Sequence, residues 1–337
     1  MIDYLIIVPI FLSFFISLFF MPLWIRKAKQ IGLMWKDMNK FHNLEVAGSG
    51  GIIVVIAGVI SILFFVAYNT FYLKNTSHFI EIFAILTSIL FLMIIGIVDD
   101  LLGWQKGGLS PRSRLILVLL ASIPLVVINA GKSVVELPFL GSVELGLLYP
   151  LVLIPIGILG TATTFNFLAG FNGLEAGLGA IVLSALGAVA LFTGSTWLAM
   201  ISFIMVGALI GFLFFNFYPA RVFPGDCVTY PIGGLIGIIS IIGNFEKIAL
   251  FFYIPFIIEV ALKSRGKLMK YSFGKPNEDG SLSLRYDKLY SLNHAAIYLM
   301  NKVGIRATEK RVVYCVWIFQ IAVILLGFLI FREGIFA

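Results

Sequence analysis

The chain has 337 residues, 60% of them hydrophobic and only 12% charged, with a net charge of +7 and a mean hydropathy of +1.05. A soluble globular domain carries about 25% charged residues, so this composition excludes an ordinary soluble enzyme and points to a polytopic membrane protein. The two cysteines, Cys227 and Cys315, exclude a disulfide framework and a CxxC metal site.

In chain order, apolar runs long enough for helices fall near 2–25, 51–73, 79–98, 114–130, 147–169, 177–193, 196–217, 230–243, 247–262 and 312–331. The first run lacks a basic flank and a small-residue cleavage site, so it reads as a retained span rather than a signal peptide. Backbone polar groups need internal partners in lipid, so the expected fold is an all-α polytopic membrane protein with about ten transmembrane helices. Between the fourth and fifth runs, KSVVELPFLGSVEL (132–145) alternates around a Pro and a Gly and predicts a short extracytoplasmic β-hairpin. No fixed-period repeat and no linker divides the chain, so residues 1–337 read as one integral-membrane domain.

All Lys and Arg residues except Lys74, Lys132, Lys247 and Arg332 lie in or beside the loops near 26–50, 99–113, 170–176, 218–229 and 263–311. The positive-inside rule puts these loops in the cytoplasm, with the chain in the cell membrane and both termini outside. The basic residues are spread over several loops, so the charge reads as topology and not as a nucleic-acid footprint.

Asp99 and Asp100 close the third run. Adjacent carboxylates repel unless a cation, a proton or a basic group offsets them, and acids at a span edge face protein, water or a ligand. Asp37, Asn39, Lys40, Arg112, Arg114, Asn166, Asn172, Glu175, Arg221 and Asp226 fall on the same membrane face. Singly, each has a plain structural reading. Arg112, Arg114 and Arg221 are positive-inside anchors, Asp37 is a partner for Lys40, Asp226 is a turn-former, and Cys227 is a buried thiol.

Together they suit other chemistry. Asp99, Asp100, Asp226 and Asn166 are oxygen donors of the kind Mg²⁺ shares with substrate phosphates, and Arg and Lys match phosphate oxygens. The set fits Mg²⁺-assisted phosphoryl transfer at a membrane surface. The alternative from a different class, an ion-coupled transporter, calls for ionisable residues nearer the middle of broken spans.

The segments KDMNK (36–40), GIVDDLLGW (96–104), NFLAGFNGLEAG (166–177) and NFYPARVFPGD (216–226) carry a family resemblance. The chain resembles the polyprenyl-phosphate N-acetylhexosamine-1-phosphate transferases of glycosyltransferase family 4, most of all the dolichyl-phosphate GlcNAc-1-phosphotransferase branch and its archaeal relatives. The resemblance implies transfer of GlcNAc-1-phosphate from UDP-GlcNAc to dolichyl or another polyprenyl phosphate, with release of UMP. This is the first lipid-linked step of N-glycosylation; another UDP-N-acetylhexosamine, for a cell-wall or surface polysaccharide, is the alternative.

The resemblance also implies roles for named residues. Asp226 and Asn166 match ligands of Mg²⁺ or Mn²⁺; Asp99 and Asp100 are the catalytic candidates, either completing the metal site directly or through water, or with Asp99 accepting a residual proton from the lipid phosphate. Phe223 matches an aromatic on which uracil stacks. Lys36, Asn172 and Gly173 match contacts to the UDP-sugar, as do Arg265 and Lys267, which resemble a basic cluster that meets diphosphate and sugar. Arg114, with Phe165 and Phe167, falls on the lipid-phosphate side. The implied partners are UDP-GlcNAc, the polyprenyl phosphate, the bilayer and a second copy in a homodimer, with no nucleic acid. Two positions depart from the eukaryotic pattern: Arg265-Gly266-Lys267 lacks a central His, for which His294 is the candidate replacement, and Gly48 stands in place of a substrate-contacting Glu.

Overall fold

Proline placement and glycine contacts decide how the apolar runs become helices. The structure, a computed structural model, describes residues 4–132, 134–137 and 141–336. Helix α1 (Val8–Ile31) ends at Gly32, whose left-handed φ of 75° lets its N–H return to the last carbonyls of the helix. The hairpin β1 (Met34–Lys36) and β2 (Glu45–Ala47) follows, then α2 (Gly51–Tyr68) and α3 (Phe79–Lys106). Next come α4 (Pro111–Ala121), α5 (Ile123–Val127), the hairpin β3 (Val134–Leu137) and β4 (Gly141–Glu144), and α6 (Ile154–Phe167). The chain continues through α7 (Leu174–Phe192), α8 (Thr196–Asn216), α9 (Asp226–Gly243), α10 (Glu246–Phe252) and α11 (Ile254–Ser264). It ends with β5 (Lys275–Pro276), β6 (Leu282–Ser283), α12 (Leu292–Lys302), α13 (Glu309–Ile330) and the short α14 (Arg332–Ile335).

Eight helices among the described residues are long and apolar enough to cross a membrane: α1, α2, α3, α6 together with the helical turn Tyr149–Leu153 that leads into it, α7, α8, α9 and α13. The other two expected runs, 114–130 and 247–262, are not continuous helices. Each is a pair of short helices, α4 with α5 and α10 with α11, broken just before Pro124 and Pro255. Proline lacks the N–H that would continue the first helix, but its fixed φ suits the first turn of the next. The predicted hairpin is present, with Val134 opposite Glu144 and Leu137 opposite Gly141; its turn, 138–140, lies outside the described residues. The hairpins β1–β2 and β5–β6 and the helix α12 lie outside the sequence expectation, because two- and three-residue strands give no periodicity to read.

Helix α3 also runs further than its apolar stretch, through to Lys106, so Asp99 and Asp100 sit on a helix and not in a loop. Successive helical residues point about 100° apart, so the two carboxylates face different neighbours.

Lipid tails are as apolar as Leu, so membrane helices gain from close packing rather than from leaving water. Helix α9 is buried along nearly its whole length, between α3 and α6. Glycines permit the approach: a Cβ on Gly96 of α3 would lie 2.3 Å from the carbonyl oxygen of Asp226, and one on Gly233 of α9 would lie 2.6 Å from that of Thr161. By contrast Phe11, Phe15, Phe19 and Phe20 of α1 point outward, as lipid-facing side chains do.

Gly96→Ala must therefore push α9 off α3 at the residue where α9 begins. We expect a loss of about 1–3 kcal/mol, read as a lower thermal unfolding midpoint in detergent. An unchanged midpoint would show that the contact is not tight.

Candidate active site

A cavity of about 670 Å³ opens where α3 and α6 end and α9 begins, and it gathers the polar residues that the sequence scatters over the chain. Its walls include Lys36, Asp37, Asp99, Asp100, Arg114, Asn166, Asn172, Glu175, Phe223 and Asp226.

Asp100 is fully engaged by the backbone of α9. Its Oδ1 accepts from the N–H of Asp226 at 2.8 Å, and its Oδ2 accepts from Ser49 Oγ at 2.9 Å and from the N–H of Cys227 at 3.4 Å. A helix N-terminus carries unpaired N–H groups and a partial positive charge, so a carboxylate is a fitting cap. Gly225, immediately before the helix, has φ of 74°, and a Cβ there would lie 2.3 Å from Asp100 Oδ2. Only glycine meets both conditions cheaply.

Asp99 turns the other way. Its Oδ1 accepts from the N–H of Leu109 at 2.8 Å and from Arg114 Nη2 at 2.9 Å. Arg114 Nε lies 2.6 Å from Oδ2 in an ion pair, although its N–H is not angled for a hydrogen bond. Arg114 stands in the first turn of α4, which Ser110 caps by accepting from the N–H of Ser113 at 3.1 Å.

Asp226 is the acid left short of positive charge. Its Oδ1 accepts from Asn166 Nδ2 at 2.5 Å, and the same amide group donates to Thr229 Oγ1 at 2.8 Å. The Asp226 carboxyl shares the cavity wall with Asp99, and carboxylates gathered in one site favour a proton or a cation between them. Among the described residues, no group of three or more His, Cys, Asp and Glu side chains is spaced to hold a metal unaided. Mg²⁺ does not need such a cage, since it binds through one or two carboxylates plus waters and phosphates. The donor set fits that mode, with Asp226 central and Asn166 and Asp99 beside it.

The loop that carries Phe223 is hung on the first hairpin. The N–H of Phe223 donates to the carbonyl of Ala47 at 2.8 Å, and its carbonyl accepts from the N–H of Gly50 at 2.9 Å. Lys36 is exposed at the end of β1 and lines the cavity. Gly173 is the N-cap of α7 with φ of 87°, and a Cβ there would meet Phe217 at 2.7 Å, so it shapes the loop rather than the cavity wall.

Besides Gly173, four candidates are not brought to the cavity. Phe165 is buried and stacked on Phe256, with ring centroids 5.2 Å apart, so it belongs to the core between α6 and α11. Phe167 does not line the cavity; its carbonyl accepts weakly from Ser272 Oγ. Arg265 and Lys267 are exposed beyond the end of α11, and the same segment offers Tyr271 and Phe273 to the cavity instead.

His294 does not replace a missing imidazole. It is buried, with Nδ1 accepting from the N–H of Tyr290 at 3.3 Å and Nε2 meeting the carbonyl of Phe273 at 3.1 Å. Since Nδ1 accepts, Nε2 carries the proton and the ring is neutral. Gly48 bears Trp35: a Cβ there would lie 2.3 Å from the indole Nε1. Cys227 is buried with its thiol on the carbonyl of Pro224, the plain structural reading.

Several cavity residues had no sequence signal of their own. Trp35, Ser49, Thr229 and Phe273 are unremarkable in composition, and only chain folding places them. Glu259, buried in α11, accepts from the N–H of Leu292 at 2.7 Å and from Ser291 Oγ at 3.1 Å, and so anchors α12 and the loop that supplies Phe273.

The family Glycosyl transferase family 4 matches residues 82–244, a stretch that includes Asp99, Asp100, Asn166, Phe223 and Asp226. A protein of Saccharolobus solfataricus, provisionally named a UDP-N-acetylglucosamine–dolichyl-phosphate N-acetylglucosaminephosphotransferase, is 37% identical over 318 residues, 93% of this chain and 92% of its own. A Dictyostelium discoideum protein bearing that name outright is 31% identical over 271 residues, 68% of this chain and 64% of its own. A phospho-N-acetylmuramoyl-pentapeptide-transferase of Caldanaerobacter subterraneus is 29% identical over 325 residues, 92% of each chain. The chain belongs to glycosyl transferase family 4 and is a multi-pass membrane protein.

Burial lowers the pKa of His294 below its ordinary 6.5, against the pull of its bond to the Phe273 carbonyl. The unfolded chain then binds the proton more readily. The stability that neutral His294 contributes is complete above about pH 6.5 and falls as pH drops below it. We expect His294→Gln to lose less thermal stability than the parent between about pH 7.5 and 5.5. Equal losses would mean that His294 does not titrate with unfolding.

Proposed function

We propose that the chain transfers GlcNAc-1-phosphate from UDP-GlcNAc to dolichyl or a related polyprenyl phosphate, giving GlcNAc-diphospho-polyprenol and UMP. One observation carries this reading: a single cavity at one end of the helices joins the bonded pair Asp226 and Asn166 to the Asp99–Arg114 pair and to Phe223. The names of the Saccharolobus and Dictyostelium relatives supply the sugar and the lipid. The basic loops argue for a cytoplasmic active site and outer termini in the cell membrane.

A phosphate monoester has its second pKa near ~6, so the lipid phosphate is largely a dianion at neutral pH and needs little general-base help. Its oxygen attacks the sugar-bearing phosphorus of UDP-GlcNAc. The new P–O bond forms as the bond to UMP breaks, and UMP leaves with the electron pair. Catalysis is then mainly positioning and charge neutralisation.

Arg114 meets the lipid phosphate with the donors that Asp99 leaves free. Asp99 holds the guanidinium in place and takes up any proton the lipid phosphate still carries. Asp100 acts through α9, fixing where Asp226 emerges. Asp226 and Asn166 would hold Mg²⁺ or Mn²⁺, and the ion would supply charge neutralisation for the diphosphate. Phe223 stacks on the base, and Lys36 faces the phosphates.

Purified full-length protein with labelled UDP-GlcNAc, Mg²⁺ and dolichyl phosphate should give labelled lipid and an equal amount of UMP. Chelating the metal should stop both. Asp226→Ala should lower kcat by roughly 10²–10³-fold, the loss expected for a preorganised stabiliser of transition-state charge, while Asp99→Asn keeps measurable turnover. No UMP from any UDP-N-acetylhexosamine would refute the reading. A phosphorylated enzyme trapped without acceptor lipid would refute the single step.

A further inference from the structure

A second buried polar cluster adjoins the cavity, and the chemistry above does not use it. Asp37, Asn39, Asn172 and Glu309 are all buried, and they come from the first loop, the loop before α7 and the start of α13. Lys40 Nζ lies 3.2 Å from Asp37 Oδ2, contacts Glu309 Oε2 and sits 4.2 Å from the centre of the Tyr218 ring. Burial alone would lower the pKa of Lys40, but Glu309 and Asp37 outweigh it and hold it above the ordinary value, so the ammonium persists. Glu309 Oε1 accepts from the N–H of Asn172 at 2.9 Å. Asn39 clamps the same loop, donating to the carbonyl of Gly170 at 2.7 Å and accepting from the N–H of Gly274 at 3.1 Å.

The Asn172 side chain is the informative member. Its Nδ2 donates to Asp37 Oδ2 at 3.1 Å. An ionised carboxylate only accepts, so the amide must present its NH₂ group to Asp37 and its oxygen elsewhere. That assignment follows from Asp37 and does not depend on telling nitrogen from oxygen in the coordinates. Among the described residues, Asn172 Oδ1 has no partner, and it is accessible at the cavity wall rather than sealed in the core.

A fixed lone acceptor in a cavity that is also lined by aromatic residues reads a planar donor. Uracil offers N3–H, whereas cytosine offers an unprotonated N3 that would face oxygen against nitrogen lone pair. We propose that Asp37 is a positioning residue that sets the direction of the Asn172 amide and thereby selects a uracil over a cytosine nucleotide. This rests on the cavity being the nucleoside-diphosphate-sugar site.

The test is Asp37→Asn in the full-length protein. The substituted side chain keeps an oxygen for the N–H of Asn39 but puts NH₂ where Oδ2 stood. The Asn172 amide then turns to accept from it and shows its own NH₂ to the cavity. A buried polar mismatch costs on the order of tenfold to a hundredfold in affinity. Equilibrium binding of UDP and CDP, with Mg²⁺, gives the readout.

We expect the parent to favour UDP by at least about tenfold, and Asp37→Asn to shrink or invert that ratio by a similar factor. Lys40→Met, which leaves the carboxylate facing Asn172, should weaken both ligands and leave the ratio alone. A purely structural role for Asp37 predicts an unchanged ratio in Asp37→Asn, which would overturn the proposal. If that variant does not fold, Asn172→Ala decides: a ratio that falls toward unity supports the proposal, and an unchanged ratio overturns it. A parent that binds UDP and releases UMP while ignoring these substitutions sinks this inference alone. A parent that binds neither nucleotide sinks the functional reading with it.

Discussion

Helix α9 starts on a carboxylate that belongs to another helix, and the site depends on that junction. Asp100 takes the first N–H groups of α9 on its two oxygens, and Ser49 supplies a further hydrogen bond. The unpaired N–H groups of a helix start are costly to bury, and Asp100 satisfies them with a charge of the right sign for the helix dipole. Gly96, one turn earlier on α3, lets the two backbones touch at that point. The first residue of α9 is Asp226, so the junction also fixes where the Asp226 carboxyl enters the cavity.

The same geometry separates three acids that would otherwise be alike. Asp100 is neutralised by a helix terminus, and Asp99 by Arg114. Among the described residues Asp226 makes no ion pair, and its Oδ1 takes the amide of Asn166. A carboxylate without a cation of its own, beside another carboxylate, is the position at which a divalent ion or a proton gains most. On the proposed function, the acid doublet that stands out in the sequence has the supporting role, and the ligand position falls to an acid whose plain sequence reading is a turn-former.

Much of this is legible in the sequence, and the exceptions have physical causes. Long apolar runs locate eight spanning helices, since lipid demands uninterrupted hydrophobic length. Composition cannot show that the runs at 114–130 and 247–262 break before Pro124 and Pro255, because a proline in the first turn of a helix and one inside it look the same in a hydropathy pattern. Asp226, Asn166, Arg114 and Phe223 are legible because their motifs are unusual, and they do meet in one cavity. Phe165 shows where adjacency in sequence misleads: on a helix its neighbour Asn166 faces the cavity while Phe165 faces α11. Glu309 stands 137 positions from Asn172 and 269 from Lys40, and no spacing rule links residues that far apart.

Loops at a membrane surface must satisfy their backbone groups without the regular ladders of helix or sheet. Here side chains from distant segments supply the partners. Asn39 bonds both Gly170 and Gly274, Glu309 takes the N–H of Asn172, Glu175 takes that of Gly170, and Glu259 takes that of Leu292. Each bond pins one loop to another instead of to itself. The turn at 170–172 is consequently held from the first loop, from α7 and from α13 at once, so its shape is set before any ligand arrives. A loop ordered in advance spends less of its binding free energy on immobilisation. That ordering is also what makes Asn172 directional: its backbone N–H is fixed by Glu309 and its amide by Asp37, which leaves one oxygen, in one orientation, at the cavity wall.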